Sequence, residues 1–120
     1  MDYNLLLDDS RDIQMVYNIT GNQIYNEKEW IIVKSFDAFV QKIVKYYLPI
    51  NISFDHDISD FITENGETKE RTGYDCVKWL VDYCVENNKK LPNCLVHSSN
   101  IVGRNNIISY LNNAKKHLNL

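Results

Sequence analysis

Three polar clusters follow directly on short apolar runs: Asp8-Asp9 with Arg11 after Tyr3 to Leu7, Asp55-His56-Asp57 after Ile50 to Phe54, and His97-Ser98-Ser99-Asn100 after Cys94 to Val96. Carboxylates and imidazoles are the side chains that move protons near neutral pH, since a free imidazole titrates at about 6.5. His56 and His97 can divide the roles of general acid and base, with Asp55 or Asp57 orienting one ring. Each group also has a plainer use. Acids after a strand cap helices and solvate turns, and a lone strand-end histidine often makes one structural hydrogen bond. His117, in the last turn of the final helix, suits the helix dipole as a cation. Four carboxylates converging on one edge repel each other unless positive charge sits among them, and a metal ion, Arg11 or Arg104 can supply it.

A second chemistry is anion binding. Asn100 precedes a helix whose first turn holds Gly103 and Arg104. An open helix N-terminus presents unpaired N–H groups to a phosphate, Gly103 admits a ligand close to the backbone, and Arg104 can clamp two oxygens, with Ser98 beside it. There is no Walker P-loop, no GxGxxG and no HExxH. Ser98 next to His97 is no nucleophile pair, because strand neighbours point to opposite faces. The same alternation sets Asp55 and Asp57 on one side and His56 on the other unless the strand has already ended.

These clusters need elements to position them. Trp30 to Lys34 is a further β-branched run. Ser35 caps a helix with Phe36, Phe39, Val40, Ile43, Val44 and Tyr47 on one face, which Pro49 stops. Thr72 and Asp75 have capping-box spacing before a face of Val77, Leu80, Val81, Cys84 and Val85. Ile107, Ile108, Leu111, Ala114 and Leu118 mark the last helix. Between Asp12 and Glu29, Thr20-Gly21-Asn22 suggests a turn, so a hairpin or irregular excursion is predicted. Ile58 to Arg71 is polar and predicts an exposed, mobile loop. Strands alternating with helices give an α/β three-layer sandwich with a mainly parallel sheet, whose carboxyl edge is the place for a ligand.

The chain has 120 residues, 44% hydrophobic, with a net charge of −3. That length predicts a single domain over residues 1–120. Its longest apolar runs, such as Leu5 to Leu7 and Trp30 to Val33, fall far short of the ~20 residues of a membrane span. Asp2, Asp8 and Asp9 bracket the only apolar stretch near the start, which does not suit a signal peptide. The expectation is a soluble, cytoplasmic protein with no membrane partner. Cys76, Cys84 and Cys94 make no CxxC pair and lie in apolar runs, as core thiols. Mild acidity excludes coating DNA through bulk charge, so any nucleotide must be held by a local site.

Taken together, Leu7-Asp8-Asp9 with Arg11, Ser53-Phe54-Asp55-His56-Asp57, Thr72-Gly73-Tyr74-Asp75, Trp79, His97-Ser98-Ser99-Asn100, Val102-Gly103 and Asn105-Asn106 resemble the cyclic-phosphate processing receiver family. The resemblance spans nearly the whole chain apart from residues 12–29 and 58–71. It implies a receiver-like (flavodoxin-like) sheet of about four strands in the order 2-1-3-4, with Asp8, Asp9 and Asp55 meeting at the switch point. In ordinary receivers such a trio holds Mg2+ and the third Asp accepts phosphate. This chain departs from that pattern: no Lys follows the last strand, and His56 and His97 stand where receivers have no histidine. The implied activity is a phosphoesterase that opens a cyclic phosphate on a nucleotide or RNA end. Its catalytic set is His56, His97, Asp55 and Asp57. Arg11, Ser98, Asn100, Gly103, Arg104 and Thr72 hold the phosphate; Tyr74 or Trp79 can stack a base, although packing in the core is the better reading of both. No cofactor is required, though the trio leaves Mg2+ possible. Two alternatives use the same residues: a sponge that binds a nucleotide without cleaving it, and a Mg2+-dependent phospho-acceptor at Asp55.

Overall fold

Short strands of Leu, Ile and Val, each capped by a turn-forming polar group, assemble into one parallel sheet in the computed structural model, which describes residues 2–120. The order of elements is β1 Asn4–Leu7, α1 Ile13–Thr20, α2 Ile24–Glu27, β2 Ile31–Val33, α3 Phe36–Tyr46 and β3 Asn51–Phe54, then β4 Asp60–Glu64, β5 Glu67–Arg71, α4 Gly73–Glu86, β6 Asn93–Val96 and α5 Ile101–His117. The sheet runs β2-β1-β3-β6, all parallel. β6 is the fourth sheet strand along the chain, so this is the expected 2-1-3-4 order.

Register decides where the chemistry falls. Leu7 lies opposite Val33 and Phe54, and Phe54 opposite Val96. The ladder continues for one more residue, with Asp8 N donating to Val33 O, Asp55 N to Leu7 O and His97 N to Phe54 O, each at 3.0 Å. Asp8, Asp55 and His97 are therefore equivalent positions on three adjacent strands, fixed by backbone hydrogen bonds.

Alternation along the strands divides the core. Leu5, Leu7, Ile52 and Phe54 pack with Phe39, Ile43, Leu80 and Ile107 of α3, α4 and α5. Leu6 faces the other way, onto Val16 of α1 and Tyr25 of α2. Each fully buried aliphatic side chain contributes roughly 1.5–3 kcal/mol, so the larger cluster is the principal source of stability. Cys76 and Cys84 are buried within it, and burial pushes the Cys84 thiol up to about 11.

Two segments differ from the sequence expectation. Residues 12–29 form helices rather than a hairpin. Asp12 accepts the Met15 N–H at 2.9 Å as N-cap, Val16 is the buried side chain of α1, and Gly21 closes the helix in the left-handed conformation. Thr20-Gly21-Asn22 is indeed a turn, but between two helices. Residues 60–71 form an antiparallel hairpin rather than an irregular loop. Asn65 and Gly66, with φ of 52° and 79°, make the tight turn that matches strand twist. Arg71 ties the hairpin base to Asp37 and Asp60 at 3.1 Å, and Asp60 accepts the Phe36 N–H. Among the described residues no helix is long and apolar enough to cross a membrane.

Candidate functional site

The carboxyl edge of the sheet carries two hydrogen-bonded groups. The inner one starts at Asp8, which is fully buried. Its Oδ1 accepts the backbone N–H groups of Ser10 and Arg11, both at 2.9 Å, and its Oδ2 meets His97 Nε2 at 3.0 Å. Behind the ring, His97 Nδ1 lies 2.6 Å from Ser53 Oγ, which lies 2.6 Å from the Tyr25 hydroxyl. One proton order satisfies every group when Asp8 is ionised: Tyr25 O–H donates to Ser53, Ser53 O–H to Nδ1, and Nε2–H to Asp8. Burial alone would raise the Asp8 carboxyl. The hydrogen bonds from His97, Ser10 and Arg11 outweigh it and hold Asp8 below the usual carboxylate range.

Arg11 supplies positive charge. Its guanidinium stands 3.6 Å from Asp8 and 3.8 Å from Asp55, and Nη2 donates to Ser99 Oγ at 3.2 Å. Its buried Nη1 makes no hydrogen bond. Asp55, 6% exposed, is pushed upward by burial and then by the charge of Asp8, against the pull of His97 and Arg11. Asp8, Asp9 and Asp55 each offer an oxygen within 4.8 Å of the others. Three hard oxygen donors at that spacing fit a Mg2+ ion. Arg11 already meets the same need for charge, so ion and guanidinium compete for one place.

The outer group is built on His56, just past the end of β3. His56 Nδ1 lies 2.8 Å from Asp57 Oδ1, and Asn100 Nδ2 donates to Asp57 Oδ2 at 3.1 Å. The hydrogen bond from His56 is the main reason the Asp57 carboxyl is held low. Asn100 Oδ1 in turn caps α5 by accepting the Gly103 N–H at 2.9 Å. The His56 ring rests against Gly103, where an added Cβ would come within 2.4 Å of the imidazole. From below, Gly73 N donates to His56 O at 2.7 Å, and a Cβ on Gly73 would lie 1.8 Å from Asp55 O. Glycines at two helix starts thus let α4 and α5 close on this one histidine. Among the described residues, nothing hydrogen-bonds His56 Nε2.

The remaining expected residues divide. Arg104 is exposed on the first turn of α5, while Ser98 is buried and its Oγ accepts the Asn100 N–H at 3.1 Å. The Thr72 hydroxyl lies in the α4 capping box with Asp75. Tyr74 packs edge-on to Tyr110, and Trp79 stacks on Tyr83 with its edge to Phe39, so both serve the core and neither forms a base platform. His56 and His97 belong to separate hydrogen-bond groups.

Sequence reasoning named Ser53 and Ser99 within its motifs but gave them no role, and it missed Tyr25. Ser53 carried a signal, a hydroxyl between Ile52 and Phe54 in an otherwise apolar strand. Tyr25 carried none, because its segment read as irregular.

The crystal structure of the receiver domain of NtrX from Brucella abortus is similar over 95% of this chain and 98% of that one, at 12% identity and a TM-score of 0.48. None of the curated proteins is similar enough to count as a match. The sequence profile of the cyclic-phosphate processing receiver domain matches residues 3–113, and the chain belongs to that family.

Proposed function

We propose that the protein is a phosphoesterase that opens a cyclic phosphate on a nucleotide or RNA end, with His56 and Asp57 as its proton-transfer pair. The observation that carries this reading is the 2.8 Å contact between His56 Nδ1 and Asp57, which leaves Nε2 without a partner among the described residues, on a ring that rests against the first turn of α5. An aspartate on Nδ1 fixes the tautomer that makes Nε2 a base. The N–H groups of Ile101 and Val102, at the first positions of α5, have no helical partner and can receive phosphoryl oxygens, with Arg104 as the mobile cation.

Water adds to phosphorus as one ring P–O bond breaks. Its proton passes to His56 Nε2 and then to the leaving oxygen, giving a monoester with no net proton change at the protein. His97, with both ring nitrogens engaged, has the role of holding Asp8 and the strand ends in place rather than meeting substrate. Were Mg2+ bound at Asp8, Asp9 and Asp55, it would supply Lewis-acid charge to a phosphoryl oxygen.

The test is 31P NMR of adenosine 2',3'-cyclic and 3',5'-cyclic phosphate with the protein, in EDTA and in Mg2+. Appearance of the monoester, lost in His56→Ala, is expected. Tight binding with no monoester in either condition overturns catalysis in favour of the sponge. A phosphorylated Asp55 after treatment with acetyl phosphate and Mg2+, again with no monoester, favours the phospho-acceptor.

A further inference from the structure

We propose that the groove along the open edge of β6 is a nucleobase subsite, reading the base of a nucleotide whose cyclic phosphate lies at the start of α5. The inference rests on the phosphoesterase reading only for the position of the phosphate. β6 pairs with β3 alone and is the outermost strand on its side. The N–H groups of Asn93 and His97 donate inward, to Ile50 O and Phe54 O, both at 3.0 Å. Alternation then turns the N–H and C=O of Cys94 and Val96 outward, where no strand meets them.

Those two backbone pairs face a groove of about 540 Å³, within the size range of small-molecule sites. Ile19 of α1 and Tyr25 of α2 form one wall, and the groove reaches Ser98 and Arg104. Ile19 is 53% exposed, an aliphatic side chain with nothing of its own chain covering it. The chemistry along the groove follows the parts of a nucleotide. Arg104 and Ser98 suit the phosphate end, the Cys94 and Val96 backbone suits the donors and acceptors on a heterocycle's edge, and Ile19 suits its flat face. An extended peptide is the other ligand that a bare edge strand attracts. β6 has only four residues, two of them facing outward, which is short for strand addition but enough for the two or three coplanar hydrogen bonds of a base.

The experiment is an amide NMR titration of the chain with adenosine 2',3'-cyclic phosphate, uridine 2',3'-cyclic phosphate and the base-free methyl riboside 2,3-cyclic phosphate. Base-bearing probes are expected to shift the Cys94 and Val96 amides and to bind at least about tenfold tighter than the base-free probe. The base-free probe should shift only the start of α5. Val96→Pro removes an outward N–H while sparing the bonds to β3, and should erase the preference for a base without weakening base-free binding. Ile19→Glu, on an exposed helix surface, should do the same, so the test survives a proline variant that fails to fold. Equal affinity for probes with and without a base overturns the subsite, as do β6 shifts produced only by an extended acidic peptide. Base-dependent binding without ring opening upholds the subsite and overturns the phosphoesterase. Ring opening at the same kcat/KM with and without a base does the reverse.

Discussion

His56 and His97 both follow a buried parallel strand and both pair with an aspartate, yet their surroundings differ in kind. His97 is 3% exposed, with Asp8 on one nitrogen and Ser53 on the other. Its neighbours are themselves buried, so its hydrogen bonds satisfy groups that would otherwise be stranded without water. His56 lies one residue further past the end of its strand, spends one nitrogen on a largely exposed aspartate and keeps the other open. The difference comes from one step of chain. His97 still belongs to the ladder and must point where alternation sends it, whereas the backbone at His56 has left the sheet and is held by the start of α4, with the start of α5 against its ring. For these two histidines, the one in the ladder satisfies buried groups, and the one just beyond it keeps a ring nitrogen open.

Alanine at each histidine separates these roles. His56→Ala should lower turnover of a cyclic-phosphate substrate by about 100- to 10,000-fold, the usual range for a general acid or base, while the melting temperature stays nearly unchanged. His97→Ala should unfold the protein more easily, by about 1–3 kcal/mol, because the buried Asp8 Oδ2 and Ser53 Oγ each lose a hydrogen-bond partner. Urea titrations of both variants beside turnover measurements check the contrast. If His97→Ala keeps parental stability, the two environments do not differ as described.

How much of this was legible follows the same line between ladder and loop. The parallel sheet, its order and its edge could be read because apolar runs of β-branched residues and helix caps at Ser35 and Thr72 are local signals. The three clusters could be placed on one edge because strand order fixes it. The partners of the histidines could not. Ser53 and Tyr25 reach His97 across the sheet, from residues 44 and 72 positions earlier in the chain, and no local pattern encodes such contacts. The α1 and α2 segment was misread because the Gly21 turn outweighed the Asp12 cap and a single buried position at Val16. The hairpin was misread because its outward-facing strands are polar and charged, although Asn65-Gly66 was the available clue.

Gly103→Ala sharpens the comparison from the side of the helix. The new methyl group would come within 2.4 Å of the His56 ring, so the ring must move. Displacing a proton-transfer group by about 1 Å costs on the order of 10- to 100-fold in rate. Alanine favours a helix over glycine by about 1 kcal/mol, which offsets the crowding. The variant should therefore stay close to parental stability while its turnover falls, a split that denaturation and 31P NMR assays read together. His97 chemistry should be untouched, visible as unchanged imidazole 15N shifts for that residue.

The smallest expected effect concerns the carboxylates beside the two histidines, and its sign is the informative part. Asp55 is raised by burial and by Asp8, so the folded protein holds its proton more firmly than the unfolded chain does. Its contribution to stability is present below the unfolded carboxylate range and is lost as pH rises through the folded value. At pH 7 the ionised Asp55 thus costs stability, and Asp55→Asn should raise it by about 1 kcal/mol, the scale of ordinary stabilising changes. That corresponds to a few degrees in Tm for a chain of this size. The gain should shrink as pH falls through the raised folded value, where the parent's Asp55 takes up its proton. Asp8 is held low, so its contribution is present above the unfolded range and is lost as pH falls through the folded value, and Asp8→Asn should destabilise at pH 7. Thermal denaturation of both variants across pH 4 to 7 reads the two slopes. Equal signs would mean that Asp8 and Asp55 share one environment, and that the hydrogen bonds from His97, Ser10 and Arg11 do not set Asp8 apart from its neighbour in the ladder.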